Sequence, residues 1–213
     1  MKIIERALWY FAFFWVLVLS AGTFLQYYDF RTHSVFLDLK RAAIKTGWYL
    51  PAFYCHIIGS SIILLIGYLQ FSKRIYNNRL LHKILGKIYV FGVLFISAPG
   101  AYLMTVFINR GQWVTISFLL QNTLWIGFTL AAWLVIRRGN VTSHVKMMRR
   151  SYALAFGAVT LRFYIFIFTV IGNGVGFANN YIIISFLSWI PNLLLVEVIN
   201  YYKNTHFDLI TVD

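Results

Sequence analysis

The chain has 213 residues, of which 60% are hydrophobic and 12% are charged, and its formal net charge is +13. A soluble domain of this length would carry about twice that charged fraction, so the composition excludes an ordinary soluble domain. The single cysteine, Cys55, excludes an internal disulfide framework and a cysteine-rich metal site.

Six long apolar segments account for this composition. They lie at residues 7–25, 48–71, 81–108, 113–136, 145–171 and 181–201. Each has about 20 residues or more, which is enough for a helix to cross a hydrocarbon layer of about 30 Å. We therefore predict an all-α fold, a polytopic membrane helix bundle with six transmembrane helices. Because the loops are short, we expect a single integral membrane domain over residues 1–213.

The basic residues are distributed by loop. Lys73, Arg74, Arg79, Lys83 and Lys87 flank the turn between segments two and three, and Arg137, Arg138, Lys146, Arg149 and Arg150 flank the turn between four and five. The turn after segment three carries one charged residue, Arg110. The turn after segment five carries none. The positive-inside rule then predicts a multi-pass protein of the inner (cytoplasmic) membrane with both termini in the cytoplasm. This distribution favours anionic lipid head groups at the cytoplasmic face over nucleic acid as the partner.

Segments two and three carry one histidine each on a face of small residues. His56 lies about 12 Å along segment two from its outer end, with Gly59 and Ser60 on or near the same face. Segment three begins on the cytoplasmic side with His82, and its stripe continues through Gly86, Tyr89, Val93, Ser97 and Gly100. We expect both faces to point into the bundle.

Segment five has the most informative pattern of polar residues, and segment four has the least informative one. His144 and Arg162 are 18 residues apart on segment five, which is about five helical turns, so both side chains lie on one face about 27 Å apart. Ser151, Ala155 and Ala158 lie between them and allow close approach of another group. Segment four has no charge within it, and its Gln121, Asn122 and Trp125 are expected to join helices.

Segment six contains a proline and a carboxylate. Pro191 removes one helical hydrogen bond and predicts a kink, at which Ser188 or Asn192 could satisfy the freed carbonyl. Glu197 is the only acid within the apolar segments. Because it lies near the cytoplasmic end, we expect it to pair with Lys83, Lys146 or Arg149.

Two polar layers follow from these positions, an inner one with His82 and His144 and an outer one with His56 and Arg162. Histidines at matched depth on two helices can ligate a haem iron, and a proton relay or a place in the head-group layer are the alternatives. Arginine is costly inside a membrane. Arg162 therefore either reaches the outer head groups or clamps an anionic group such as a phosphate or carboxylate.

Several stretches together carry a resemblance to a family. They are His82 to Tyr89, His144 to Met148, Arg150 to Leu154, Val159 to Arg162, and Leu187-Ser188-Trp189 followed by Asn192-Leu193 and Glu197. From about His56 to Glu197 the chain resembles the predicted bacterial membrane proteins of domain-of-unknown-function family 2306. The resemblance implies a membrane protein and carries no activity with it.

The layout also resembles, at the level of architecture, the four-helix core of cytochrome b561-type proteins. That group holds haem with two histidine pairs on four core helices, whereas segment four here has no histidine. The resemblance therefore implies at most one haem b. Its metal ligands would be His82 and His144, Gly86 would make room for the porphyrin, and Lys87, Arg149 or Arg150 would neutralise the propionates.

Three classes of function stay open. The first is a haem-binding redox protein of the cytochrome b type. The second is a transporter or enzyme for an anionic lipid-like substrate, bound by Arg162 and His56. The third is a non-catalytic accessory or assembly subunit of a membrane complex. In each case we expect segments two, three, five and six to form the core. We expect five polar side chains to face its interior or a cavity: His56, His82, His144, Arg162 and Glu197.

Overall fold

The computed structural model describes residues 2–30, 35–38, 40–108, 110–171 and 176–210, and all regular secondary structure in this part is helical. The helices are α1 Lys2–Tyr27, α2 Val35–Asp38, α3 Arg41–Ile44, α4 Tyr49–Gln70, α5 Lys73–Asn77, α6 Arg79–Gly92, a π-helical turn Val93–Ser97, α7 Ala98–Val106, α8 Gln112–Arg137, α9 Val141–Ile171, α10 Gly176–Leu187 and α11 Ile190–Ile210. Six stretches of the described part are long and apolar enough to cross a membrane. The all-α, six-span prediction is confirmed.

The chain divides into two compact units, unit 1 at Met1–Asn109 and unit 2 at Arg110–Asp213. Unit 1 contains the spans formed by α1, by α4, and by α6, the π-helical turn and α7 together. Unit 2 contains the spans formed by α8, by α9, and by α10 with α11. The expectation of one integral membrane domain stays a prediction.

In unit 1, α1 packs against α4 through aromatic side chains. The Tyr68 hydroxyl on α4 donates a hydrogen bond to the carbonyl oxygen of Trp9 on α1. The Trp9 and Phe13 rings lie 5.1 and 5.5 Å from the Tyr68 ring, measured between centroids. These contacts hold the first span, α1, against one side of α4.

The third span approaches α4 closely because glycines line the contact. A Cβ on Gly100 would lie 2.6 Å from the Ala52 carbonyl oxygen and 2.9 Å from the His56 backbone nitrogen. A Cβ on Gly92 would lie 2.9 Å from Cδ1 of Ile63. The residues that the sequence placed on this stripe, Tyr89, Val93, Ser97 and Gly100, are all buried. The predicted helix face is therefore confirmed for this part of the span.

In unit 2, α8 and α9 form an antiparallel pair joined by a short turn. Gly139 adopts a left-handed conformation with φ +78°, and the Asn140 side chain then accepts a hydrogen bond from the Ser143 backbone N–H at 2.9 Å. This is N-cap chemistry, since it satisfies a free donor of the first helical turn. The cap starts α9 at Val141, four residues before the segment that hydropathy alone indicates.

The α8–α9 contact is held by polar side chains as well as by small ones. The Thr129 and Ser151 hydroxyl oxygens are 2.7 Å apart, and the Gln121 Nε2 donates to the Leu154 carbonyl oxygen at 3.0 Å. Ser151 is fully buried there. The expectation that Gln121 joins helices is confirmed.

The sixth span is broken, as Pro191 predicts. α10 ends at Leu187, and α11 begins at Ile190. The Ser188 carbonyl oxygen, at the break, accepts hydrogen bonds from the Thr160 hydroxyl on α9 and from the Asn192 Nδ2, the latter at 3.0 Å. The carbonyl that Pro191 frees is that of Leu187, four residues earlier, so the role expected of Asn192 or Ser188 there stays a prediction.

The orientation in the membrane stays a prediction that reporter fusions can check. Asn77, Arg110 and Asn140 lie at the ends of helices or in the turns between them. We expect a reporter joined at Asn77 or Asn140 to be in the cytoplasm and one joined at Arg110 to be outside, because the basic residues flank the first two positions. The inverse pattern would reverse the inner and outer assignments used below.

Candidate functional site

His144 lies in the first turn of α9, where its ring is fixed by α8. Its backbone N–H donates to the Asn140 carbonyl oxygen at 3.1 Å, and its ring Nδ1 lies 2.9 Å from the Ala132 carbonyl oxygen. A carbonyl oxygen can only accept a hydrogen bond, so Nδ1 carries the proton. In the neutral ring, Nε2 then keeps its lone pair and points away from the Ala132 carbonyl.

The Glu197 carboxylate of unit 2 is held by an arginine. The Nε and Nη2 of Arg150 donate to the two oxygens of Glu197 at 2.5 and 2.6 Å, which is a bidentate pair. The neighbouring Arg149 donates to the Asn200 side-chain oxygen at 3.1 Å. The prediction that Glu197 pairs with Lys83, Lys146 or Arg149 is wrong, because Arg150 holds both carboxylate oxygens. Arg149 also reaches α11, but it contacts Asn200 there.

In unit 1, His82 lies near the start of α6 beside the end of α4. Its ring packs edge-on against Tyr76, with the centroids 5.6 Å apart. Its carbonyl oxygen accepts a hydrogen bond from the Gln70 Nε2 at 2.9 Å. A Cβ on Gly86 would lie 3.5 Å from the same nitrogen. Gly86 therefore faces the Gln70 side chain, which is buried.

His56, on α4, contacts the π-helical turn. Its Nδ1 lies 2.9 Å from the Ser97 carbonyl oxygen and 3.3 Å from the Ser60 hydroxyl oxygen. As at His144, the carbonyl requires a proton on Nδ1 and leaves the Nε2 lone pair in the neutral ring. π-Helical turns of this kind occur frequently at functional sites.

Arg162 differs from the histidines because its side chain is exposed, while His56, His82, His144 and Glu197 are partly buried. The expectation that Arg162 faces the bundle interior or a cavity stays a prediction. Its Nη1 donates to the Ala158 carbonyl oxygen at 3.2 Å, one turn earlier on α9. The small residues on this helix face serve the contact with α8 near Ser151, and that contact does not enclose the position of Arg162.

The structure brings together part of the predicted set and adds residues to it. His82 belongs to unit 1, and His144 belongs to unit 2. The partners that sequence reasoning missed are the Ala132 and Ser97 carbonyls, Gln70 and Arg150. The sequence does not indicate which backbone carbonyls will meet a side chain. It does show the adjacent basic residues Arg149 and Arg150, but it does not show which of them will face Glu197.

No three histidine, cysteine or carboxylate side chains in the described residues come together as a metal site. Iron in a porphyrin needs only axial protein ligands, so this observation concerns metal ions bound by side chains alone. His56 and His144, each with its Nδ1 against a carbonyl oxygen, keep an Nε2 lone pair that can bind a metal when the ring is neutral.

A family model described as a predicted membrane protein (DUF2306) matches residues 53–200, which is more than half of the chain. The chain belongs to this family. The region matched to DUF2306 begins within α4 and ends within α11, so it contains all the histidines discussed above together with Arg162 and Glu197. Comparison with curated proteins and with solved structures gives no match.

Proposed function

We propose that this DUF2306 membrane protein binds haem b as a redox group and that His144 supplies an axial ligand. The observation that supports the proposal is the hydrogen bond between the His144 Nδ1 and the Ala132 carbonyl at 2.9 Å. Histidines that bind metals commonly donate their other ring N–H to a carbonyl, which fixes the ring and makes the ligating nitrogen more basic. His144 has this arrangement.

The residues around His144 fit the role of a ligand held in place before the iron arrives. The Asn140 cap fixes the first turn of α9, and α8 fixes the ring. The haem, when bound, would supply one-electron chemistry. Of the side chains expected at the propionates, Arg150 is held by Glu197, and Arg149 contacts Asn200.

Optical spectra of the purified full chain test this proposal. We expect the wild-type protein from haem-replete cells to show the reduced-minus-oxidised bands of a b-type haem, and His144→Ala to lose most of them. His33→Ala, which removes a histidine outside the six apolar segments, is the matched control and should keep the wild-type spectrum. His82→Ala tests the second ligand that the sequence predicts.

Chemical rescue separates ligation from a structural role. Adding imidazole to His144→Gly should restore the bands, because the free base can occupy the vacated position, whereas a variant that has merely lost its fold would not respond. A colourless wild-type protein, or an unchanged spectrum in His144→Ala, would contradict the proposal. Copurification of a colourless protein with another membrane subunit would instead favour the accessory-subunit function.

A further inference from the structure

Two adjacent arginines of α9 use their hydrogen-bond donors to different extents. Arg150 gives its Nε and Nη2 to Glu197 and its Nη1 to the Met147 sulfur at 3.4 Å. Within the described part of the chain, Arg149 makes one hydrogen bond, from its Nη1 to the Asn200 Oδ1 at 3.1 Å. A guanidinium has five N–H donors. The edge formed by the Arg149 Nε and Nη2 therefore has no acceptor among the described residues.

Asn200, on α11, also presents a donor that the described residues do not satisfy. The residue is 4% exposed, and Arg149 fixes its orientation, because a guanidinium can only donate and must face the amide oxygen. The amide nitrogen Nδ2 is buried and meets no acceptor in the part of the chain that the structure describes. Since buried polar groups are normally hydrogen-bonded, both side chains would be satisfied by an acceptor from outside the described residues.

The charge around this pair is positive. Glu197 is the one carboxylate among the side chains that the structure describes in unit 2, and both of its oxygens are bonded to Arg150. Lys146 lies about one helical turn before Arg149 on α9 and adds another cation. Positive charge within a membrane-spanning helix is unfavourable unless an anion pairs with it. The acceptor that suits this place therefore carries negative charge.

Arg149 lies on a different face of α9 from His144. The His144 ring contacts the Ala132 carbonyl on α8, whereas the Arg149 guanidinium contacts Asn200 on α11. The two residues are five positions apart, which turns the helix by about 140° beyond one full turn. A ligand of Arg149 and Asn200 thus lies on the α11 side of the helix, away from the side on which His144 is held.

We propose that Arg149 and Asn200 form a binding site for a phosphate oxyanion. The Nε–Nη2 edge of the guanidinium matches two phosphate oxygens, and the Asn200 Nδ2 adds a further donor. Arg149 is partly exposed while Asn200 is buried, so the guanidinium makes the first contact. The same donors recognise the phosphate of a phospholipid head group and that of a soluble anion. This site does not depend on haem binding.

The test uses the full chain in a maltoside detergent, which contains no phosphate. The probe is a fluorescent phosphatidylglycerol analogue, and a diacylglycerol analogue with the same chains and fluorophore is the control without phosphate. We expect the protein to bind the first much more tightly than the second. Arg149→Gln and Asn200→Leu should each weaken binding by about tenfold or more, the usual effect of losing a hydrogen bond to a charged group. Arg149→Lys should lose part of the affinity, because it keeps the charge without the fork.

Arg138→Gln is the matched control, because Arg138 is an exposed arginine at the end of α8. It should bind the phosphatidylglycerol analogue as the wild type does. Inorganic phosphate distinguishes the two sources of the oxyanion. A phosphate-dependent rise in the melting temperature, with displacement of the analogue by millimolar phosphate, would identify a soluble anion. Failure of phosphate to displace the bound analogue would identify the lipid head group.

Four results would overturn the proposal. One is a wild-type protein that neither binds the phosphatidylglycerol analogue nor melts at a higher temperature in phosphate. Another is equal binding of the two lipid analogues. The third is wild-type affinity in Arg149→Gln, provided that its circular dichroism and elution volume match the wild type. The fourth is an equal loss in Arg138→Gln, which would indicate a general charge effect. If Asn200→Leu does not fold, the two Arg149 variants decide the question.

Discussion

Gly100→Ala is expected to destabilise unit 1 more than any other single methyl group added to it. The new Cβ would lie 2.6 Å from the Ala52 carbonyl oxygen and 2.9 Å from the His56 nitrogen, and both are main-chain atoms of α4. Neither can rotate away, so α4 and α7 would have to separate. Overpacking of this kind costs about 1–3 kcal/mol and occasionally more. The melting temperature of the detergent-solubilised protein would report the loss.

Gly22→Ala is the matched control, because a Cβ at Gly22 on α1 meets nothing within 4 Å. Its stability should equal or slightly exceed that of the wild type, since alanine favours helix over glycine. If Gly100→Ala melts together with Gly22→Ala, the close approach of α7 to α4 does not exist in the protein. The contact between the His56 ring and the Ser97 carbonyl would then have to be abandoned as well.

Glu197→Ala is expected to lower the free energy of unfolding by about 1.5–3 kcal/mol, the range for hydrogen bonds to charged groups. The substitution removes both acceptors of Arg150 and leaves its charge beside the Phe128 ring, 5.7 Å from the centroid. The lower part of that range applies, because the Glu197 side chain is 42% exposed. Denaturation of the purified protein in mixed detergents would measure the change.

A double-mutant cycle would assign the loss to the pair itself. Glu197 and Arg150 should show a coupling energy when both are replaced by alanine, whereas Glu197 and Lys146 should not. Lys146 is the matched control because the sequence offers it as an alternative partner at the same end of α9. Equal coupling in the two cycles would contradict the bidentate contact and favour a diffuse charge effect.

The six spans could be predicted because the bilayer sets both their length and their composition. The ends of the helices were harder to predict than the spans, because capping residues determine them. The Asn140 cap, for example, starts α9 earlier than hydropathy indicates. The kink at Pro191 was predictable from the missing N–H alone. The Ser188 carbonyl at the break also accepts a hydrogen bond from Thr160 on α9. No local sequence pattern indicates this contact, because the donor lies on another helix.

The candidate site was predicted by residue type and only in part by direction. A step from Arg149 to Arg150 rotates the side chain by about 100°. This rotation decides which residue of α11 each arginine meets, and Glu197 is bonded by Arg150. Helical spacing places Arg162 on one face with His144, but the exposure of its side chain is visible only in the structure. Histidine tautomers depend on main-chain carbonyls of neighbouring helices, so Ala132 and Ser97 could not be inferred before the helices were packed.

The break at Ser188–Trp189 has a mechanical consequence for unit 2. The regular α-helical structure is interrupted there, so α10, which carries Tyr181, and α11, which carries Glu197, are two helical rods joined by a turn. A tilt of one rod is poorly transmitted to the other. α9 is continuous from His144 to Arg162. It is therefore the helix through which a displacement at one end of the unit would be transmitted to the other end.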